Sequence, residues 1–399
     1  MFRQSMILLF LGLLVVDARS QTLSSDAQKA KKYHFTGARY HYGFVLMTNS
    51  FVRGENGSGK KLNAYNAFDL KFGTQTDGSN TWEQIYDFPY YGIGLYHANF
   101  YNDKELGNPI SLYGFWGYPL RRYKRGTLNF GLSLGLGWNW VPFDEENNPW
   151  NVAIGSRNTA YIDIGTNYSY WLSKHFEING GLSFTHFSNG AVKKPNKGIN
   201  LFAPTIEMRY HFSSEKPIYQ KKEIPDFGKP QNEIFFFLAA GSKQQSLNSG
   251  ESENLENGYQ DLYYDAFTIS GVYQRQYTHT FKAGLGIDIS YDESVGAMVE
   301  KVEDKYIKIP DDELEKISLG IVSNFEKVIH RFSLIGGIGA YIVRKKFEDQ
   351  TPVIYMRAGM KYHFWKNFFL GVNVRAHNFS VADYTEWNIG HTFKLAKKQ

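Results

Sequence analysis

The chain has 399 residues, a formal net charge of +5, 21% charged and 42% hydrophobic residues, 17% aromatic residues, 38 glycines and no cysteine. Lack of cysteine excludes disulfides, thiolate metal sites and a cysteine nucleophile, and a mild, dispersed positive charge makes nucleic acid a poor partner. A mean hydropathy of -0.42, with no apolar run of 18 residues after the N-terminus, argues against helical membrane spans but not against a β-barrel, whose strands show the bilayer only every second side chain.

Met1, Phe2 and Arg3 precede the apolar run Met6–Val16, which is followed by Ala18, Arg19 and Ser20. This pattern predicts a secretory signal peptide over residues 1–20, cut near Ser20/Gln21, and hence export. Next come segments of ten to fourteen residues with period-two alternation, the mark of strands whose two faces meet different solvents. Between Thr127 and Trp140, the even positions Leu128, Phe130, Leu132, Leu134, Leu136, Trp138 and Trp140 form an apolar face ending in two tryptophans. The odd positions are Thr, Asn, Gly and Ser. Small polar residues opposite an aromatic-ended apolar wall favour a membrane barrel over a soluble sandwich.

Eight strands are predicted in the first half, near 36–47, 66–75, 89–100, 111–120, 127–140, 159–172, 175–188 and 199–212. Residues 213–231, with three prolines and four lysines, read as a periplasmic linker. Eight further strands follow near 233–245, 263–275, 279–291, 315–326, 330–343, 353–364, 367–377 and 382–394. Long and short connections alternate, as outer-membrane barrels require, with 76–88 the one long connection on the short-turn side. The expected fold is therefore all-β: a transmembrane antiparallel β-barrel of about sixteen strands in two eight-strand halves (33–212 and 232–395), either as two barrels or as one closed wall.

The seventh predicted strand and its loop read HFSNGAVKKPNKGIN, from His186 to Asn200. Ile178, Leu182 and Phe184 set the even positions toward lipid, so His186 and Ser188 project together from the outer wall near its extracellular end. Polar side chains there need a reason. The eighth strand has Phe202, Ile206, Met208, Tyr210 and Phe212 on the same face, which places Asn200 opposite or diagonal to His186, within about 4.5 to 8 Å. Hydroxyl, imidazole and amide on one patch make the nucleophile, base and orienter set of a serine hydrolase. Candidate oxyanion donors are Asn189, Asn196 and backbone groups around Gly190 and Gly198. Glu207, the nearest carboxylate in the eighth strand, faces the lumen by parity and is rejected.

His186-Phe187-Ser188-Asn189 followed by Lys194-Pro195-Asn196-Lys197-Gly198-Ile199 resembles the signature of the outer-membrane lipid A 3-O-deacylase family. The resemblance covers about residues 33–212. It implies an eight-stranded barrel, lipid A or lipopolysaccharide as substrate, outer-membrane lipids as surroundings, a catalytic pair of Ser188 and His186, and Asn196 at the oxyanion. The family's acidic triad member falls on Asn200, which here is not a carboxylate. The half 232–395 repeats the architecture without the motif. A homodimer is a possible partner arrangement.

Other signals are discounted. Gly54-Glu55-Asn56-Gly57-Ser58-Gly59-Lys60 imitates a phosphate-binding loop, but Lys61 stands where Ser or Thr would bind Mg²⁺. Val299–Leu314 reads as a solvated charged element or a short helix. His377 and Ser380 echo the His-Ser pair at the wrong spacing, with His377 on the lumen side. His34, His41, His97, His211, His363 and His391 show no metal-ligand spacing, so no metal and no cofactor is expected. The expected activity is a carboxylic ester hydrolase of the outer membrane, the alternative a non-catalytic barrel of porin-like or adhesive type.

Overall fold

The computed structural model describes residues 33–395, apart from 214, 216, 245–261, 303–304, 310–311, 346–351 and 379–380. The expected signal peptide and Ser380 lie outside the described residues. Two closed eight-strand barrels form, so the single sixteen-strand wall is not how the chain closes. The first contains β1 (Tyr33–Val45), β2 (Ala64–Gln75), β3 (Tyr90–Asn99), β4 (Gly107–Arg122), β5 (Gly126–Trp140), β6 (Thr159–Trp171), β7 (Phe176–Ser188) and β8 (Ile199–His211). The second contains β9 (Gln231–Gln244), β10 (Tyr263–Thr278), β11 (Phe281–Asp292), β14 (Ile317–Ile329), β15 (Phe332–Val343), β16 (Ile354–Trp365), β17 (Phe368–His377) and β18 (Val381–Lys394). The closing pairs are β1 with β8, from Phe35 opposite His211 to Val45 opposite Leu201, and β9 with β18, where Ala240 faces Trp387.

Two expectations are corrected. The charged stretch after β11 is a hairpin, β12 (Met298–Val302) with β13 (Lys305–Ile309), followed by a 3-10 turn at Glu313–Lys316. Ile307 and Ile309 alternate with Lys308 as in a strand, whereas Val299 and Val302 are spaced as on a helix, so the local pattern does not decide between the two. The tryptophan pair on β5 is split: Trp138 is exposed, whereas Trp140 is buried, with its indole N–H on Thr159 Oγ1 at 3.0 Å. Asn139 between them has φ +68°, which breaks the extended repeat and turns Trp140 inward.

Eight strands enclose an interior just wide enough for side chains to fill. In the first barrel Arg39 bridges Asp69 (2.6 Å) and Asp163 (3.2 Å), Glu207 binds Lys71 (3.2 Å) and Arg209 (2.6 Å), and His211 meets Glu177 (2.7 Å). Glu207 thus faces the lumen, as parity requires. In the second, Asp288 and Glu386 are both held by Arg357 and Arg375, and Lys361 holds Glu326 at 2.7 Å. His377 lies among these inward groups, 3.1 Å from Asp383.

At the long-loop end the lumen of the first barrel gives way to an aromatic plug. Tyr65, Tyr96, Tyr113, Tyr161, Phe100, Trp140 and Phe187 pack under Phe51 and Val52 of α1 (Ser50–Arg53), all at most 3% exposed. At the other end the long connection 76–88 contains α2 (Thr81–Ile85) and carries the linker: Gln220 N–H donates to Asp77 O at 2.9 Å, and Tyr219 packs on Phe88 with Arg122 over its ring at 4.2 Å. The same connection touches the second barrel, with Trp82 stacked on His330 and the Tyr86 hydroxyl on Val328 O at 2.6 Å.

The buried ion pairs are the groups whose removal should be felt most. Arg39→Met strips the shared cation from two enclosed carboxylates, and the expected cost is about 3–5 kcal/mol. Urea unfolding of the detergent-held protein, followed by tryptophan fluorescence, reads it; an unchanged midpoint would show that the other polar neighbours of Asp69 and Asp163 suffice.

Candidate active site

Three consecutive residues at the end of β7 set the site. Phe187 is fully buried in the aromatic plug, packed on Trp140 (ring centroids 5.0 Å apart) and Tyr161 (5.4 Å). With Phe187 inward, the pleat turns His186 and Ser188 outward. Both are half-buried. Below them the outward surface is apolar: Phe184 pairs with Phe202 across β7 and β8, each 39% exposed, with Leu182, Ile206 and Ile164 beyond.

His186 and Asn200 are directly opposed in the β7·β8 register. The imidazole bonds on both sides: Nδ1 lies 2.7 Å from Asn200 Oδ1, and Nε2 lies 2.9 Å from Ser188 Oγ. Asn200 Nδ2 donates to Thr48 Oγ1 at 3.1 Å, and the Asn200 backbone carbonyl accepts from Leu46 N–H at 2.8 Å. The amide is therefore oriented from outside. With its NH₂ on Thr48, the oxygen is left to accept a hydrogen bond from Nδ1–H, which leaves Nε2 unprotonated and able to accept from the serine hydroxyl.

The loop 189–198 folds back over this triplet. Asn189 N–H donates to Asn196 Oδ1 at 2.9 Å, while Asn189 Nδ2 donates to Lys193 O (2.6 Å) and Ser156 Oγ (3.2 Å). Gly198 N–H is engaged by Ala153 O at 2.9 Å, and Gly198 O accepts from Asn49 Nδ2 at 2.9 Å. Of the three residues expected at the oxyanion, Asn189 and Gly198 thus have these donors committed to the loop itself. Asn196 uses its oxygen there, so its NH₂ points away from that bond. Gly198 has φ +73°, and a Cβ would stand 2.9 Å from Phe187 O and 3.0 Å from His186 Cε1, so the chain passes too close to the imidazole for a side chain.

Sequence reasoning missed Thr48, Asn49 and Ser156. Each lies on a different loop from the motif and meets it only through barrel closure, so no local spacing carries the signal. The glycine-rich stretch 54–60 is seen to follow α1, with Gly54 as its left-handed C-cap, which accounts for its first glycine. Among the described residues no cluster of three or more His, Asp or Glu could hold a metal ion.

Comparison with known proteins comes next. The family model described as lipid A 3-O-deacylase (PagL) matches residues 66–209, and the one described as acyloxyacyl hydrolase, C-terminal domain, matches residues 232–395. No curated protein matches the chain. Among solved structures, the KdgM porin in complex with disordered oligogalacturonate shares 10% identity over 72% of this chain and 94% of its own, with a TM-score of 0.18. The outer membrane protein Omp33 from Acinetobacter baumannii shares 7% over 92% of this chain and all of its own, with a TM-score of 0.16. CdiB from Acinetobacter baumannii shares 8% over 91% of this chain and 60% of its own, with a TM-score of 0.17. Likenesses this weak say nothing about the site.

Gly198→Ala tests the close approach independently of any activity. A left-handed non-glycine residue costs about 1–2 kcal/mol, and the methyl must also displace the imidazole. The expected result is a folded barrel with a lowered thermal midpoint and changed His186 ring resonances by NMR; unchanged resonances would show that the loop absorbs the methyl.

Proposed function

We propose, on the premise that residues 66–209 match the lipid A 3-O-deacylase family model and residues 232–395 that of an acyloxyacyl hydrolase C-terminal domain, that this chain cleaves the 3-O-linked acyl ester of lipid A by a serine–histidine mechanism on the lipid-facing wall of its first barrel. The observation that carries the reading is the hydrogen-bonded run Asn200–His186–Ser188, with both histidine nitrogens engaged, on the outward face above an apolar strip. A membrane lipid presents its ester just below headgroup level, with its acyl chain running down into hydrocarbon. The Phe184–Phe202 surface gives that chain a wall to lie along.

In the proposed reaction Ser188 Oγ attacks the acyl carbonyl carbon while its proton passes to His186 Nε2. Nδ1–H stays on Asn200 Oδ1. The carbonyl oxygen becomes an oxyanion, for which Asn196 Nδ2 is the donor, with Asn189 and Gly198 holding the loop that presents it. Collapse expels the sugar oxygen, which takes the proton back from His186 and leaves a 3-hydroxyl on lipid A. Water, deprotonated by His186, then attacks the acyl carbonyl carbon, and His186 returns that proton to Ser188 Oγ as the fatty acid leaves. Every step is a proton or acyl transfer, and the residues named balance it.

Asn200 is the point of departure from the acidic residue of the family pattern. In a serine protease, replacing the triad Asp by Asn costs about 10⁴ in rate because the histidine adopts the wrong tautomer. Here Thr48 fixes the amide the other way round, with oxygen toward His186. Asn200 then serves as a positioning residue for the tautomer, though without the charge that would stabilise the imidazolium.

Two experiments follow. Ser188→Ala should leave the barrel folded and lipid A unmodified when cells carrying each version are compared by mass spectrometry of lipid A. If both versions give the profile of cells lacking the protein, the enzyme reading fails. Thr48→Val removes the acceptor that orients Asn200, and kcat should fall about tenfold, with Thr48→Ser restoring it. A Thr48→Val rate equal to wild type would mean that the amide is oriented by something else.

A further inference from the structure

Two polar side chains on the second barrel occupy places where the outer wall of a membrane barrel is ordinarily apolar. Tyr384 and Glu386 point into its lumen, at 2% and 0% exposure, so Thr385 between them points outward. Lys243 points inward onto Asp292 and Asp383, so the pleat sends Gln244, its successor, outward. Outward residues should be exposed to lipid, yet both of these are buried, Gln244 completely. The loop of the first barrel that follows Ser188 meets both. Thr385 Oγ1 donates to Gly190 O at 3.1 Å, and Gln244 Oε1 accepts from Lys194 N–H at 2.9 Å.

The bracing of that loop divides by segment. Its two ends are held by the first barrel: Asn189 Nδ2 on Ser156 Oγ, Lys197 N–H on Val152 O at 3.1 Å and Gly198 N–H on Ala153 O. Its middle is met by the second barrel at Gly190 O and Lys194 N–H, while Lys193 O stays on Asn189 Nδ2. Gly190 has φ +63°, and a Cβ there would lie 2.2 Å from Thr385 Oγ1, so the approach of the two barrels is closed at this point. The middle also transmits to the ends. Asn189 ties Lys193 O by its side chain and Asn196 Oδ1 by its N–H, so a shift of Gly190 or Lys194 moves the amide proposed for the oxyanion.

We infer that the second barrel is a working part of the first barrel's active site: Thr385 and Gln244 are positioning residues that clamp residues 190–194 and hold Asn196 in register with Ser188. The inference rests on the proposed role of Ser188 and Asn196. It gives the motif-less half of the chain a task that needs no motif of its own. A reacting group misplaced by about 1 Å can cost about 10²-fold in rate, whereas binding of the acyl chain along the wall does not depend on the loop.

The test uses the full-length protein in mixed micelles with lipid A, measuring kcat and KM for Thr385→Val, Thr385→Ser, Gln244→Leu and the Thr385→Val/Gln244→Leu pair. Heat-dependent gel mobility checks that the barrels are closed, and Ser188→Ala is the chemical control. The expected result is a fall in kcat of about 30-fold in the double variant at nearly constant KM, a smaller fall in each single variant, and wild-type kcat in Thr385→Ser. A double variant with wild-type kcat beside an inactive Ser188→Ala overturns the clamp and leaves the serine mechanism standing. An active Ser188→Ala overturns both. If the double variant does not close, Thr385→Val decides, since it changes only a hydroxyl: a lowered kcat at constant KM supports the clamp, and an unchanged kcat refutes it.

Discussion

The pleat is the constraint from which everything else in this molecule follows. Successive side chains on a strand must go to opposite faces, and in a barrel one face is hydrocarbon and the other a narrow interior. Phe187 is driven into the aromatic plug, so its neighbours His186 and Ser188 have nowhere to point but outward. Tyr384 and Glu386 are drawn into the second lumen, so Thr385 is turned out. A polar residue on the wrong face is therefore information. It marks either a place where chemistry meets the lipid or a place where another part of the chain covers the wall.

The same division sorts charge. Carboxylates and cations are packed in pairs and triplets inside the two lumens, where each has partners within hydrogen-bond distance. The outward patch at the end of β7 holds a hydroxyl, an imidazole and an amide instead. A carboxylate at the border of hydrocarbon would bear a desolvation cost that an amide avoids. In the proposed mechanism Asn200 would trade charge stabilisation of the imidazolium for a resting site with no formal charge, and Thr48 would supply the orientation that a carboxylate does not need.

How much of this was legible in the sequence depended on how local the determining signal was. All sixteen wall strands could be placed because alternation is written into each one separately. The His186–Ser188 pair and its partner Asn200 could be read because one hairpin contains them. Trp140 was misplaced because a single left-handed residue, Asn139, reverses parity without leaving any mark in the hydrophobic pattern. The hairpin of β12 and β13 was hidden by its charges. Thr48, Asn49, Ser156, Gln244 and Thr385 were out of reach for a different reason: they come to the loop through closure of one barrel or apposition of two, and sequence spacing does not record either.

The crowded interiors bear on what the chain does to the membrane that houses it. The first barrel is a cylinder lined with interlocked guanidinium, ammonium and carboxylate groups, stoppered by stacked rings at one mouth and by Tyr219 with its linker at the other. On the proposed reading this barrel works on its outer wall, and a filled interior takes nothing away from that surface.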